Sequence, residues 1–304
     1  MAPQLASPAP RAAARRVLPG IALAILAACA PGCAADAGDE DFPDVEQSAH
    51  AITEAEKTCT GWEGIGLGIS YRKTGDGDGI FIGYGGYSVH GAWSCAWSNA
   101  LYTAKLKALG VGHVYAAKGP RDAGYNAAEV GNSKLAARLV AGGAEGLAGK
   151  APFIFIAAHS SGAYVAQELL NQLYNPTRPV DVANLTDEKI VYANLDGGGT
   201  LSPRVVGKLR RISYVWAEDT TIRNGRSSNW STMVALGNAN GDSDLRIQTD
   251  RTTCNPGAKW CIHDAVITTK PHDPNRFDLA RDYTDFAGRP VQTQWVDALA
   301  SSLR

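Results

Sequence analysis

Residues 153–170 narrow the choice of fold more than any other part of this chain. Phe153-Ile-Phe-Ile-Ala-Ala158 is an unbroken apolar, β-favouring run, which predicts a strand buried on both faces. The residues beyond Gly162 bring Val165, Leu169 and Leu170 to helical spacing and predict a packed helix. Only His159-Ser160-Ser161-Gly162 separates the two, so the chain passes from strand to helix through one tight turn. Ala158 and Gly162, two before and two after Ser160, are small, as such a turn requires. A larger side chain would strike the helix start or the neighbouring strand. The competing reading is a plain strand-turn-helix connection with Ser160 or Ser161 as the N-cap of the helix.

The rest of the body continues the alternation. Strands are predicted at 64–71, 80–82, 113–117, 189–195, 211–217 and 245–249, and helices at 98–109, 133–147, 203–209 and 290–303. Gly110 and Gly112 stop the first helix, and Val291, Trp295, Leu299 and Leu303 form one face of the last. Strands alternating with helices predict an α/β fold with a mostly parallel, doubly wound sheet in a single domain. Residues 74–79, Thr-Gly-Asp-Gly-Asp-Gly, are read as a hairpin turn rather than a calcium loop, because only two carboxylates are present. Asn238-Ala-Asn-Gly-Asp-Ser-Asp244 has oxygen ligands at alternate places but no distal glutamate, and is read as a surface turn.

The ends of the chain bear on where it works. Residues 1–33 join Arg11, Arg15 and Arg16 to an apolar core, 17–28, too short to span a bilayer, as an export signal does. Leu26-Ala27-Ala28-Cys29 resembles the bacterial lipobox, in which Cys29 would become the lipidated first residue; cleavage near Ala30 or Ala35 is the competing reading. An exported protein is expected, either a cell-envelope lipoprotein held to the membrane by its anchor or a secreted one. Residues 34–58 are rich in Ala, Asp and Glu and poor in large apolar groups, so a solvated linker precedes the domain at 59–304. Cys59, Cys95, Cys254 and Cys261 make an even count, which in an exported chain suggests two disulfides. Cys254 with Cys261 is the short loop, leaving Cys59 for Cys95, with the other two connectivities open. No Cys-x-x-Cys pair favours zinc. A net charge of -1 and the lack of a basic run in the body give no reason to propose nucleic acid, and a monomer is expected.

Ala158-His159-Ser160-Ser161-Gly162 matches the G-x-S-x-G nucleophile-elbow pattern with Ala for the first Gly, and in this strand-turn-helix setting the chain resembles the α/β-hydrolase family. The resemblance implies a serine hydrolase that cleaves a small-molecule or lipid carboxylic ester through an acyl-enzyme, with no metal or organic cofactor. A serine hydroxyl needs a histidine to take its proton and an acid to orient that histidine, and in this family acid and histidine follow the serine in the chain. Only His263 and His272 lie beyond every candidate acid, which removes His50, His90 and His113; His159 is a structural neighbour of the nucleophile.

His263, beside the 254–261 loop, is preferred to His272, which lies in the proline-bounded Lys270-Pro-His-Asp-Pro274. The family's acid position, after the second strand beyond the elbow, holds Glu218 and Asp219. Asp219 is chosen, Glu218 is next, and Asp196, one strand earlier, is the alternative; otherwise Asp196 is a turn residue before three glycines. The family's His-Gly-x loop corresponds to Ile82-Gly83-Tyr84, which would make the N–H groups of Tyr84 and Ser161 the oxyanion donors. Amidases, peptidases and acyltransferases share this machinery, and a non-catalytic surface-binding module is the alternative from another class. Trp93, Trp97, Trp216 and Trp260 can line an aromatic pocket or belong to the core.

Overall fold

A computed structural model of the chain describes residues 59–66, 68–86, 95, 106–117, 124–174, 189–219, 226–227, 229–240, 244–249, 263, 266–267 and 291–303. All of them lie in the unit Asp44–Arg304. Of the sequence expectations, the leader with Cys29, the linker up to residue 58, the 254–261 pair, His272, and Trp93, Trp97 and Trp260 lie outside the described residues.

The architecture is α/β. Eight strands form one sheet: β1 (Glu63–Gly66), β2 (Ile69–Lys73), β3 (Gly79–Tyr84), β4 (Val111–Ala117), β5 (Ile154–His159), β6 (Ile190–Leu195), β7 (Arg211–Asp219) and β8 (Asp244–Thr249). Their order across the sheet is β1-β2-β4-β3-β5-β6-β7-β8. The pairs β1·β2 and β2·β4 are antiparallel, and every pair from β4 to β8 is parallel. Four helices of ten residues or more accompany them among the described residues: α1 (Gly124–Val140), α2 (Gly162–Leu173), α3 (Trp230–Asn240) and α4 (Val291–Ala300). None is long and apolar enough to cross a membrane.

The continuous apolar runs have the consequence expected of them. Every residue of β3, β5 and β6 is buried, and successive side chains enter opposite cores. Ile82, Tyr84, Ile156 and Tyr192 pack with Leu135 and Leu139 of α1 and Val165 and Leu169 of α2. Phe81, Phe155, Val191 and Leu195 face the other way, onto Val266, Ile267 and Trp295 of α4. Phe155 meets Trp295 edge-on at 5.8 Å between centroids, and Trp295 Nε1–H donates to the carbonyl of Val266 at 3.0 Å. That bond anchors the chain just beyond His263.

Several local expectations need correction. Residues 64–71 are not one strand: the chain turns at Gly68, whose φ of +79° a side chain would resist, and β1 folds back on β2. Residues 74–79 are not a hairpin turn, because β4 lies between β2 and β3. The segment instead crosses the end of β4 at backbone contact: a Cβ on Gly112 would sit 1.8 Å from the Gly77 carbonyl oxygen. The helix expected at 133–147 is α1, displaced toward the N-terminus and broken by left-handed Gly142 and Gly143. Helix α3 was not anticipated; Asn238 and Asn240 belong to its last turn and Asp244 opens β8, so 238–244 is not simply a surface turn. Trp216 is buried in the core, 6.2 Å from the ring of Trp230. Cys59 and Cys95 are joined by a disulfide with Cα atoms 5.7 Å apart.

Candidate active site

Ser160 stands on the turn between β5 and α2, with φ of +52°. For a residue with a Cβ this left-handed conformation costs roughly 1–3 kcal/mol and persists only where the surroundings enforce it. They do so from three sides. Its N–H donates to the Leu195 carbonyl at 3.1 Å, extending the β5·β6 ladder by one bond, and its own carbonyl accepts from Ala163 N at 3.1 Å. A Cβ on Gly162 would fall 2.3 Å from the Gly85 oxygen, and one on Gly197 would fall 2.7 Å from the Ser160 oxygen. Glycine is therefore needed at both positions for the loops after β3 and β6 to close on the elbow. Ser160 remains partly exposed while the strand behind it is sealed.

At the end of β6, Asp196 is the other strained residue of the site, with φ of +47°, and it is fully buried. A buried carboxylate must have each oxygen satisfied. Asp196 Oδ2 lies 2.5 Å from His263 Nδ1, and Oδ1 accepts from Ser227 Oγ at 2.9 Å. The backbone is held as well: Asp196 N donates to Val215 O at 2.7 Å, and Asp196 O accepts from Asn229 Nδ2 at 2.7 Å. The Asn194 side-chain oxygen receives the Gly197 N–H at 2.8 Å and closes the turn.

His263 is buried beside His159, with ring centroids 4.6 Å apart. Burial, and second the neighbouring His263, hold His159 well below the ordinary histidine range, so it is neutral. Its Nε2 lies 3.3 Å from the His263 carbonyl, so the Nε2–H tautomer donates there. The residue before the serine thus braces the backbone of the histidine that meets Asp196.

Asp196, the alternative acid, is the residue brought to His263. Glu218 turns instead to Arg226, whose Nε is 3.2 Å from Glu218 Oε1. Asp219 ends β7, opposite Thr249 of β8; its side chain lies outside the described residues. His113 is remote from this group and meets the Tyr71 hydroxyl at 2.9 Å.

Tyr84 does not offer a free N–H. Ile80 N donates to Phe153 O on the β5 side and Gly85 N to Ala117 O on the β4 side, so strand alternation turns the Tyr84 N–H into the β3·β5 ladder, toward Ala157. Its side chain is buried, and the phenol, pushed up by burial, donates to Asn132 Oδ1 at 2.7 Å. The residue that reaches the serine is Gly86, where a Cβ would stand 3.0 Å from Ser160 Cβ and 3.5 Å from Ser160 Oγ. Ser161 and Gly162 open α2, so their N–H groups are among those with no partner inside the helix.

Nothing local in the sequence marks Asn194, Ser227, Asn229 or Gly86 as residues of the site. Ser227-Ser-Asn229 ahead of an apolar segment is a helix-start signal that would have marked α3, but nothing local ties it to Asp196. No protein-family model and no curated protein sequence matches this chain, so the chemistry of the site rests on its own geometry.

Proposed function

We propose that the protein is a serine hydrolase of the α/β-hydrolase class that cleaves a carboxylic ester through an acyl-enzyme. The observation that carries the reading is the buried His263–Asp196 hydrogen bond beside a serine held at positive φ on a strand-to-helix turn. With Nδ1 engaged by Asp196, Nε2 of His263 is the nitrogen that would take the Ser160 proton and return it to the leaving alcohol. Asp196 orients the imidazole and stabilises the imidazolium as it forms. The N–H groups of Ser161 and Gly86 would receive the charge that develops on the substrate carbonyl oxygen. The order serine, acid, histidine along the chain, and the mostly parallel sheet with the serine after a central strand, support the family assignment.

Export belongs to the same proposal. The Cys59–Cys95 disulfide suits an oxidising compartment, and the leader would deliver the domain there, anchored through Cys29 if the lipobox is used.

The test is labelling of the purified mature protein with a fluorophosphonate, in wild type and in Ser160→Ala, His263→Ala, Asp196→Asn and Asp219→Asn. Stoichiometric labelling of wild type, abolished in the first two, strongly slowed in the third and kept in the fourth, is the expected result. A folded wild-type protein that takes no label overturns the enzymatic reading in favour of a binding module. Label retained by Asp196→Asn but lost by Asp219→Asn moves the acid to β7.

A further inference from the structure

The carboxylate that meets His263 is held by Ser227, flanked by Arg226 and Asn229, residues that none of the chemistry above uses. Ser227 is fully buried, and its hydroxyl donates to the Asp196 oxygen that does not face His263. Its own position is fixed by backbone bonds on both sides: Ser227 N donates to Ala217 O at 2.9 Å, and Ser227 O accepts from Trp230 N at 3.2 Å. Two residues on, Asn229 holds the carbonyl of the same strained aspartate. One residue before, Arg226 forms a β-bridge and an ion pair with Glu218, and its guanidinium lies 4.3 Å from the centre of the Trp230 ring. These residues are thus attached to β7 and α3 and hold Asp196 at its carbonyl and at the carboxylate oxygen that does not face His263.

A carboxylate can rotate about its Cβ–Cγ bond, and a single hydrogen bond to His263 would not stop it. Two bonds from different elements, one to each oxygen, define its plane. An ionised carboxylate accepts and cannot donate, so the Ser227 hydroxyl hydrogen must point at Asp196.

We propose that Ser227 is a positioning residue, which fixes the plane of the Asp196 carboxylate so that His263 is presented to Ser160 in one orientation. The inference rests on Asp196 and His263 being the acid–base pair of the proposed hydrolase. Ser227 touches no reacting atom, so its loss acts on turnover and not on substrate binding.

The experiment compares wild type with Ser227→Ala and with Ser227→Cys, which is nearly isosteric but a weak donor. Three quantities are read: kcat and KM on a p-nitrophenyl ester, the downfield proton resonance of His263 Nδ1–H, and the thermal midpoint. For both variants kcat falls about tenfold to a hundredfold, the size of a hydrogen bond to a charged group, while KM stays within about twofold. The Nδ1–H resonance broadens or disappears in the folded variants. A folded variant that keeps both wild-type kcat and a sharp resonance overturns the proposal, as does a loss expressed in KM with the resonance unchanged. If wild type neither turns over esters nor takes the fluorophosphonate, the enzymatic reading is what fails. The resonance, present in wild type and lost in the variants, then still decides whether Ser227 orients the pair.

Discussion

The turn after β6 and the end of β7 both carry carboxylates at the same edge of the sheet, and the protein treats them differently. Asp196 has no exposed surface, sits at positive φ, and is bonded to His263, Ser227 and Asn229. Glu218 keeps 14% of its side chain exposed and pairs with Arg226, itself 42% exposed. The difference teaches what an acid of this kind needs. Sequence position brings a carboxylate to the right edge, but orienting an imidazole requires removal from water and a second partner to fix the carboxylate plane. Glu218 serves the site indirectly, by tethering the segment that supplies that second partner.

Exchanging the charge at each place gives the largest contrast. Asp196→Asn should lower kcat by roughly 10³- to 10⁴-fold, because an amide cannot hold the imidazole in the tautomer that accepts the serine proton. Glu218→Gln should leave kcat within about threefold. Ester turnover of the two folded variants, side by side, checks both; equal losses would erase the distinction between the two carboxylates.

A comparable loss, in stability, is expected where the partner of Asp196 is anchored. Trp295→Ala removes a fully buried ring and the donor to Val266, and should cost about 3–5 kcal/mol by urea denaturation. The same change should broaden the His263 Nδ1–H resonance, since the chain beyond His263 loses its anchor. A stable variant with a sharp resonance would show that Asp196 and His159 suffice to hold the histidine.

The pH dependence tests the brace from the elbow. Folded His159 stays neutral well below its ordinary value of 6.5, whereas the unfolded chain takes up the proton near that value. Between the folded and unfolded values the unfolded state binds the extra proton, so stability is fully present above about 6.5 and is lost as the pH falls. The slope from this residue approaches about 1.4 kcal/mol per pH unit. His113, lowered by burial first, adds to wild type and variant alike, so the difference between wild type and His159→Gln reports His159 together with its coupling to the adjacent His263. Urea midpoints measured from about pH 7.5 down to about pH 5 should fall less steeply in the variant; parallel curves would mean that His159 titrates as an exposed histidine.

The smallest effect belongs to the tether. Arg226→Ala loses a partly exposed ion pair and the contact with Trp230, together about 0.5–1 kcal/mol, and the loss should shrink in high salt. Thermal midpoints at low and high ionic strength check it; a loss unchanged by salt would assign the stabilisation to packing on Trp230.

Much of the scaffold is legible in the chain because the signals are local. The apolar run 153–158, the small residues around Ser160, and the alternation of strands with helices each follow from neighbours in sequence, and the parallel sheet with both faces covered follows from them. Where local signals misled, a distant element intervened. The 74–79 turn looks like a hairpin until β4 enters between its two strands, and the Tyr84 N–H looks free until β5 pairs with β3. Helix α3 was missed because Trp230–Asn240 has little contrast between its faces, so periodicity did not mark it.

The candidate site divides along the same line. The amino-acid sequence by itself determined the strand-turn-helix around Ser160, the need for small residues beside it, and the short choice of histidines and acids that can follow it. Which acid meets which histidine was decided only by tertiary structure. The reach of a carboxylate depends on where β6 and β7 end relative to the segment carrying His263, on the burial that makes a second donor necessary, and on Ser227, brought to Asp196 from 31 residues away by a backbone bond to β7. Local preference can specify a turn, but two side chains meet through the packing of elements that have no sequence neighbourhood in common.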